Sequence, residues 1–295
     1  MNFDPAQLAA LSAVLRQGSF DAAATELNIT QSAVSQRLKA LEEKVGTPLV
    51  LRGAPCVATE AGQRLARHAQ EVSLLEAKLG HDLGLETATA RIRIAVNADS
   101  LGTWIIPALA SVPLFYEVEV DDQDHSARWL KEGAVSAAVT SSAKPIQGCD
   151  SHALGAIEYI PTASPEFMAR WFEGGVTKDR LERAPMMTFS AKDRLQLDWI
   201  EAAFGTKLHP PTHLLPSTHA FVDAALHGLG WGMNPKSLVA DHIAKGRLVP
   251  VIPDANYLTP LYWQVARHVA EPLAPLTNAI RRRARTHLAP MSQKM

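Results

Sequence analysis

Gln31, Ser32, Ser35 and Gln36 crowd the first turns of one predicted helix, and side chains of these types can read the edges of base pairs. A glutamine amide can bond adenine in bidentate fashion, and a serine hydroxyl serves donors or acceptors. Arg37 and Lys39 come next in the same helix, with types suited to phosphate oxygens. Such chemistry needs a helix whose N-terminal part enters the major groove, as the second helix of a helix-turn-helix does. The flanking residues have the required form. Phe20, Ala23, Ala24 and Leu27 recur at helical spacing, which gives a first helix with one apolar face. Asn28 tolerates the left-handed conformation of a turn, and Thr30 is a good N-cap for the second helix. Val34, Leu38, Leu41 and Val45 then form a buried stripe, with the polar side chains off it and Arg37 at its edge. An ordinary helical hairpin with a solvated polar face would share this spacing.

The neighbouring elements extend the module. Asp4-Pro5-Ala6-Gln7 opens a helix with a cap, a first-turn proline and a glutamine able to reach back. Leu8, Leu11, Val14 and Leu15 form its buried face, and Gly18 ends it. Gly46 closes the recognition helix. Pro48–Arg52 and Cys56–Ala58, joined through Gly53-Ala54-Pro55, predict a short hairpin, a wing with Arg52 placed for phosphate or the minor groove. From Thr59 a helix is expected to about residue 85, with Leu65, Val72 and Leu79 seven residues apart and Ala61, Leu75 and Leu83 beside them. That periodicity predicts coiled-coil pairing with a second copy.

From Arg91 strands alternate with helices, a rhythm that predicts a parallel sheet. Strands are expected at Arg91–Asn97, Tyr116–Asp121 and Ala134–Thr140, with helices at Ser100–Leu109 and Ser126–Glu132. Ile157–Ala163 leads into a second set: a helix near Pro165–Phe172, a strand at Met186–Phe189, and helices at Leu195–Phe204 and from Thr218 to His227. Strands at Trp231–Asn234, Arg247–Ile252 and Pro260–Arg267 precede a terminal helix ending in Arg281-Arg282-Arg283-Ala284-Arg285. Those arginines lie far along the chain from the wing and are expected to be a solvated helix end.

Phe20, Ala23, Ala24, Leu27, the run Thr30–Ser35, Leu38, Leu41-Glu42, Gly46, Leu49, Arg52, Thr59 and Gly62 together resemble the N-terminal domain of LysR-type transcriptional regulators. The resemblance covers the entire chain. The runs Asn97-Ala98-Asp99-Ser100-Leu101 with Thr103-Trp104, and Glu119–Arg128, are similar to the ArgP/LysG subgroup, whose members sense basic amino acids and control a lysine or arginine exporter. The resemblance implies an α/β protein: a winged helix-turn-helix at 1–58 (helix-turn-helix 19–38), a linker and dimerisation helix at 59–90, and an effector domain at 91–295. That domain would be two-lobed and resemble periplasmic binding proteins, with lobe I at about 91–160 and 266–295 and lobe II at about 161–265. The implied partners are double-stranded promoter DNA, a basic amino acid, further copies as a homodimer or homotetramer, and RNA polymerase. Paired recognition helices would read half-sites about one turn apart.

Open α/β sheets bind ligands at the carboxyl ends of their strands. The first strand ends in Ala98-Asp99-Ser100 before a helix, where free N–H groups and the Ser100 hydroxyl suit a carboxylate while Asp99 meets an α-ammonium. Thr140 offers a second donor and Thr218 a third from the opposite lobe. Asp121, Asp122, Asp124 and Glu158 fall near strand ends; they would repel a dicarboxylate and suit an ammonium or guanidinium head. The expected effector is L-lysine or L-arginine, its distal cation held by Asp122, Asp124 or Glu158. Each acid could equally be a solvated loop residue or a helix cap.

Composition bounds the alternatives. The 295 residues, 47% hydrophobic and 20% charged, fit an ordinary globular protein of two or three compact units. Net charge is −1, and residues 1–90 hold eight Lys/Arg against ten Asp/Glu, so total charge does not argue for DNA. Local clustering does: Arg37, Lys39, Lys44, Arg52, Arg64 and Arg67 face only Glu42, Glu43 and Glu60 over residues 30–70. Two cysteines, Cys56 and Cys149, do not suggest a disulfide framework. No apolar run reaches membrane-spanning length, and Met1–Pro5 lacks a secretory signal, so a cytoplasmic protein with no membrane partner is expected. No Gly-x-Ser-x-Gly elbow occurs, and Gly228-Leu229-Gly230-Trp231-Gly232 runs from a helix into a strand, the wrong order for a dinucleotide loop. His209, His213 and His219 lack metal-ligand spacing. Neither enzyme, cofactor nor metal is expected. A regulator of another pathway with a different effector remains an alternative; a solute-binding protein would need a signal peptide and leave the N-terminal module idle.

Overall fold

The computed structural model describes residues 2–85, 90–121 and 126–291. Two compact units emerge: the chain through Arg93 together with Leu114–Glu117 and Glu132–Ser136, and the remainder.

In the first unit each helix begins and ends on its local chemistry. Helix α1 (Pro5–Gln17) starts on Asp4, whose carboxylate accepts from the amides of Ala6 at 2.7 Å and Gln7 at 3.3 Å. It stops at Gly18, where φ is +69°, a cap that glycine adopts without a Cβ penalty. Gln7 does not reach back; its Oε1 is buried with no hydrogen-bond partner among the described residues. Ser19 caps α2 (Phe20–Glu26), and Asn28 takes the left-handed turn with φ +52°. Thr30 caps α3 (Gln31–Val45) by accepting from the Ala33 amide at 3.2 Å. Leu8, Leu11 and Val14 of α1, Ala23 and Ala24 of α2, and Val34, Leu38 and Leu41 of α3 form one core, with Val45 partly buried against it. Each buried leucine or valine there contributes about 1.5–3 kcal/mol.

The wing is β1 (Val50–Leu51) paired antiparallel with β2 (Val57–Ala58), Val50 opposite Ala58. The Glu42 carboxylate of α3 accepts the Leu49 amide at 2.8 Å and so pins the wing to the recognition helix. Thr59 then opens α4 (Glu60–Asp82), accepting from the Gly62 amide at 3.1 Å. The helix has 23 residues, about 34 Å at 1.5 Å each. Leu65 turns into the core, but Leu75, Leu79 and Leu83 stay 49%, 59% and 64% exposed, an apolar stripe along one face. Of the expected 59–90 linker element, residues 86–89 lie outside the described residues.

From Arg91 onward the chain is organised by one seven-stranded sheet of order β10-β6-β11-β5-β3-β4, with β9 also paired to β6. Strand β3 (Arg91–Asn97) leads into α5 (Ala98–Thr103) and α6 (Ile106–Ala110). The single helix expected over 100–109 is thus two, because Pro107 opens the second and cannot donate to the first. Next come β4 (Phe115–Asp121), α7 (Ser126–Lys131), β5 (Ala137–Thr140) and β6 (Cys149–Ala163). Further along the chain are α8 (Pro165–Trp171), α9 (Lys178–Arg183), β7 (Met186–Thr188), α10 (Leu195–Phe204) and β8 (Thr212–Leu214). The chain continues through α11 (Thr218–Leu226), β9 (Gly232–Pro235), α12 (Lys236–Ala244), β10 (Val249–Pro250), β11 (Tyr257–Ala266), α13 (Arg267–Ala270) and α14 (Ala274–His287).

The parallel rhythm holds for β3 with β5 and for the separate pair β7 with β8. In the pairs made by β6 and β11 the expectation is corrected. The 15-residue β6 and the 10-residue β11 run antiparallel to each other, Tyr257 opposite Tyr159 and Val265 opposite Asp150. Through them β5 on one side joins β9 and β10 on the other, which makes the two connections between the lobes. Alternating apolar residues reveal a strand but not its direction. The strand expected over 247–252 shrinks to Val249–Pro250.

Candidate functional site

β3 ends by delivering Asp99 into the first turn of α5. Its Oδ2 accepts from the Tyr159 hydroxyl of β6 at 2.5 Å, and its Oδ1 accepts from Thr218 Oγ1 of α11 at 2.7 Å. The approach is close because α5 carries a glycine: a Cβ on Gly102 would sit 3.3 Å from the His219 ring and 3.4 Å from Thr218 Cβ. Burial pushes the Asp99 carboxyl above the usual carboxylate range; the two hydroxyl donors offset part of this, and the nearby Asp193 carboxylate adds repulsion.

Asp99 lines a cavity of about 460 Å³, its open mouth included. Asp193 lines the same cavity from the loop before α10 and pins that loop, accepting from the amides of Phe189 at 3.0 Å and Leu195 at 2.9 Å. Phe189, Leu195, Phe221, Met233 and Pro235 supply apolar walls. Two side-chain amides complete the lining, Gln196 of α10 and Asn234 of β9, which are 2% and 0% exposed. Gln196 Oε1 and Asn234 Oδ1 find no hydrogen-bond partner among the described residues. No Lys, Arg or His lines it among the described residues. A site with two carboxylates, unmet acceptor oxygens and apolar walls suits a cation on an aliphatic stem.

Of the residues singled out in the sequence, the structure brings Asp99 and Thr218 together at this cavity. Ser100 is fully buried elsewhere, its Oγ accepting from the Trp104 indole at 3.0 Å. Thr140 is buried under Gln264, whose amide donates to its Oγ1 at 3.2 Å. Glu158 is engaged by Lys236 at 2.9 Å and Asn256 at 2.7 Å, on a β6 position away from the cavity lining. Asp122 and Asp124 lie outside the described residues. Sequence reasoning missed Asp193, Gln196 and Asn234. A signal existed for Gln196, which shares a helical stripe with the buried Trp199 and Ile200, an odd place for an amide.

In the first unit Gln31, Ser32, Gln36 and Lys39 stand exposed on α3, with Ser35 and Arg37 partly so. Ser32 Oγ lies 3.0 Å from Thr30 Oγ1 in the cap, and Lys39 pairs loosely with Glu43 at 3.7 Å. Arg52 is exposed on the wing, its guanidinium 5.2 Å from the centre of the Phe20 ring. All seven therefore keep solvent-accessible polar surface near the recognition helix and wing.

Comparison with known proteins agrees with both halves. Residues 5–63 match the bacterial regulatory helix-turn-helix protein, lysR family, and residues 85–289 match the LysR substrate binding domain. The regulator LysG of Mycobacterium tuberculosis is 44% identical over 283 residues, covering 94% of this chain and 92% of that protein. The crystal structure of ArgP from Mycobacterium tuberculosis superposes with a TM-score of 0.81 at 41% identity, covering 99% of this chain and 100% of that one. Full-length LysG from Corynebacterium glutamicum with bound effector Arg gives a TM-score of 0.67 at 34% identity, covering 97% of this chain and 100% of that one. With a lysR-family helix-turn-helix and a LysR substrate binding domain matched on one polypeptide, the chain belongs to the LysR family of DNA-binding transcriptional regulators.

Proposed function

We propose that this regulator answers to a basic amino acid, L-arginine or L-lysine, and controls a gene for basic amino acid export. The observation that carries the effector is the cavity's charge: among the described residues Asp99 and Asp193 line it and no basic side chain does. The division of labour runs along the sequence: 1–58 reads DNA, 59–90 pairs two copies through the Leu75, Leu79 and Leu83 stripe, and 91–295 binds the effector. A ligand that binds only the folded state raises its stability, by about 2.7 kcal/mol at a hundred times Kd. A thermal-shift panel of amino acids on the full-length chain tests the reading. Arginine or lysine should raise the melting temperature while glutamate and leucine do not; no response to either basic amino acid rejects it.

Binding should also depend on pH with a definite sign. Asp99 has a raised pKa when the cavity is empty, and a bound cation favours its ionised form. Cation binding therefore releases a proton, and affinity falls as pH is lowered through that raised pKa. Titration calorimetry in buffers of different ionisation enthalpy measures the release. An affinity that does not change as pH is lowered through that raised pKa would remove Asp99 from the cation's shell.

For DNA, Gln36 stands exposed early in α3 and is assigned a base edge. Gln36→Ala should cost about 1–3 kcal/mol on the specific operator. Binding to unrelated duplex should hardly change, as read by gel shift at fixed salt. An equal loss on both DNAs would mean that Gln36 touches backbone instead.

A further inference from the structure

We propose that Gln196 and Asn234 recognise the effector's distal cation and make the cavity selective for a planar guanidinium over an ammonium. This deepens the basic-amino-acid reading and rests on it. Helix α10 packs on β9, which sets both amides on one wall of the cavity. Each is more than nine-tenths buried, and each leaves its oxygen without a donor. Buried acceptors of this kind are rare in folded proteins unless a ligand or water completes them.

The orientation of Asn234 is constrained by its own neighbours. Its Nδ2 donates to Thr162 Oγ1 at 2.9 Å and to the Gly232 carbonyl at 3.4 Å. Flipping the amide would turn its oxygen onto that carbonyl, which cannot donate. The oxygen is therefore the atom of this amide left without a partner among the described residues. The carboxylate on this side, Asp193, already accepts from two backbone amides and from Thr188 Oγ1 at 2.9 Å. The wall offers spread-out, mostly neutral acceptors rather than one concentrated charge. A guanidinium fits that wall: it has five N–H donors in one plane, delocalised charge and weak hydration. A compact, strongly hydrated ammonium would lose its water for partners without full charge, and it has only three donors.

Titration calorimetry of the full-length chain with L-arginine, L-lysine and L-citrulline tests this. Citrulline keeps the shape of arginine but replaces its cation with a neutral urea. The parent should bind arginine about tenfold or more tighter than lysine, and citrulline more weakly than either. Gln196→Met and Asn234→Leu should each weaken arginine by about tenfold or more and bring its affinity close to that of lysine. Gln196→Met should not lower the melting temperature of the unliganded chain, because it removes an oxygen that had no donor. Gln196→Glu should improve lysine relative to arginine by supplying the concentrated charge an ammonium wants. A parent that prefers lysine, or variants that bind arginine as tightly as the parent does, would overturn the proposal alone. If the parent binds neither basic amino acid, the functional reading fails and this proposal with it.

Discussion

Asp99→Ala should abolish the response to arginine and lysine while leaving operator binding in their absence unchanged. The carboxylate anchors two hydroxyls, Tyr159 at 2.5 Å and Thr218 at 2.7 Å, and lines the cavity. Losing a charge-assisted contact there costs about 1.5–3 kcal/mol, more than tenfold in affinity. Alanine also leaves the buried Tyr159 hydroxyl without that acceptor, so some loss of stability is expected from the side chain alone. Asp99→Asn separates the two effects. It keeps an acceptor and a donor for the hydroxyls but removes the desolvated charge, so the unliganded chain should melt no lower than the parent wherever the parent's Asp99 is ionised, above its raised pKa. Linkage sets the sign. Between the ordinary carboxylate pKa and the raised one, the folded state holds a proton the unfolded state has lost, so stability falls as pH rises through that window. Above it the ionised Asp99 is a cost that asparagine lacks. Calorimetry and gel shift on both variants decide the matter; arginine binding at parental strength in both would exclude Asp99 from the effector site.

Gly62→Ala should destabilise the DNA-binding half severely, against what helix propensity predicts. Gly62 lies in α4, where alanine would ordinarily gain about 1 kcal/mol over glycine. Here a Cβ would stand 1.9 Å from the Leu49 carbonyl oxygen and 2.9 Å from its carbon. Both are backbone atoms, so no side chain can swing aside. The carbonyl also accepts the Thr59 amide at 3.0 Å, which ties wing and linker helix together at this point. Overpacking costs about 1–3 kcal/mol in ordinary cores, and this clash belongs at or beyond the upper end. The melting transition of the variant should drop by several degrees, with operator binding lost at temperatures the parent tolerates. A melting temperature equal to the parent's would show that α4 and the wing are less tightly joined than this contact requires.

Local chemistry was enough for the DNA-reading half. Asp4, Ser19 and Thr30 cap helices through bonds to amides two or three residues away, and Asn28 turns the chain by its own φ. The apolar stripe of α3 comes from a period of 3.6, which also decides which side of the helix leaves Gln31, Ser32 and Gln36 in solvent. Such interactions span less than one turn, so composition and spacing determine them. Asp99 was legible for a similar reason: it ends a strand and begins a helix, a position that local pattern exposes.

The cavity was decided by tertiary structure. Asp99 meets Tyr159 across 60 residues of sequence and Thr218 across 119, and no periodicity links such positions. Ser100, next to Asp99, is turned the other way by the helical rotation between neighbours and spends its oxygen on Trp104. Glu158 and Tyr159 are also adjacent, yet alternation along β6 sends one to Lys236 and the other to Asp99. Direction was equally invisible: the pattern marked the second half of β6 and most of β11, but neither the first half of β6 from Cys149 nor that the two run antiparallel through both lobes. Their pairing places α10, α11 and β9 around the end of β3, and only then do Asp193, Gln196 and Asn234 share a cavity with Asp99. A sequence determines what each residue can bond; the packing of distant elements determines which of those bonds are left for a ligand.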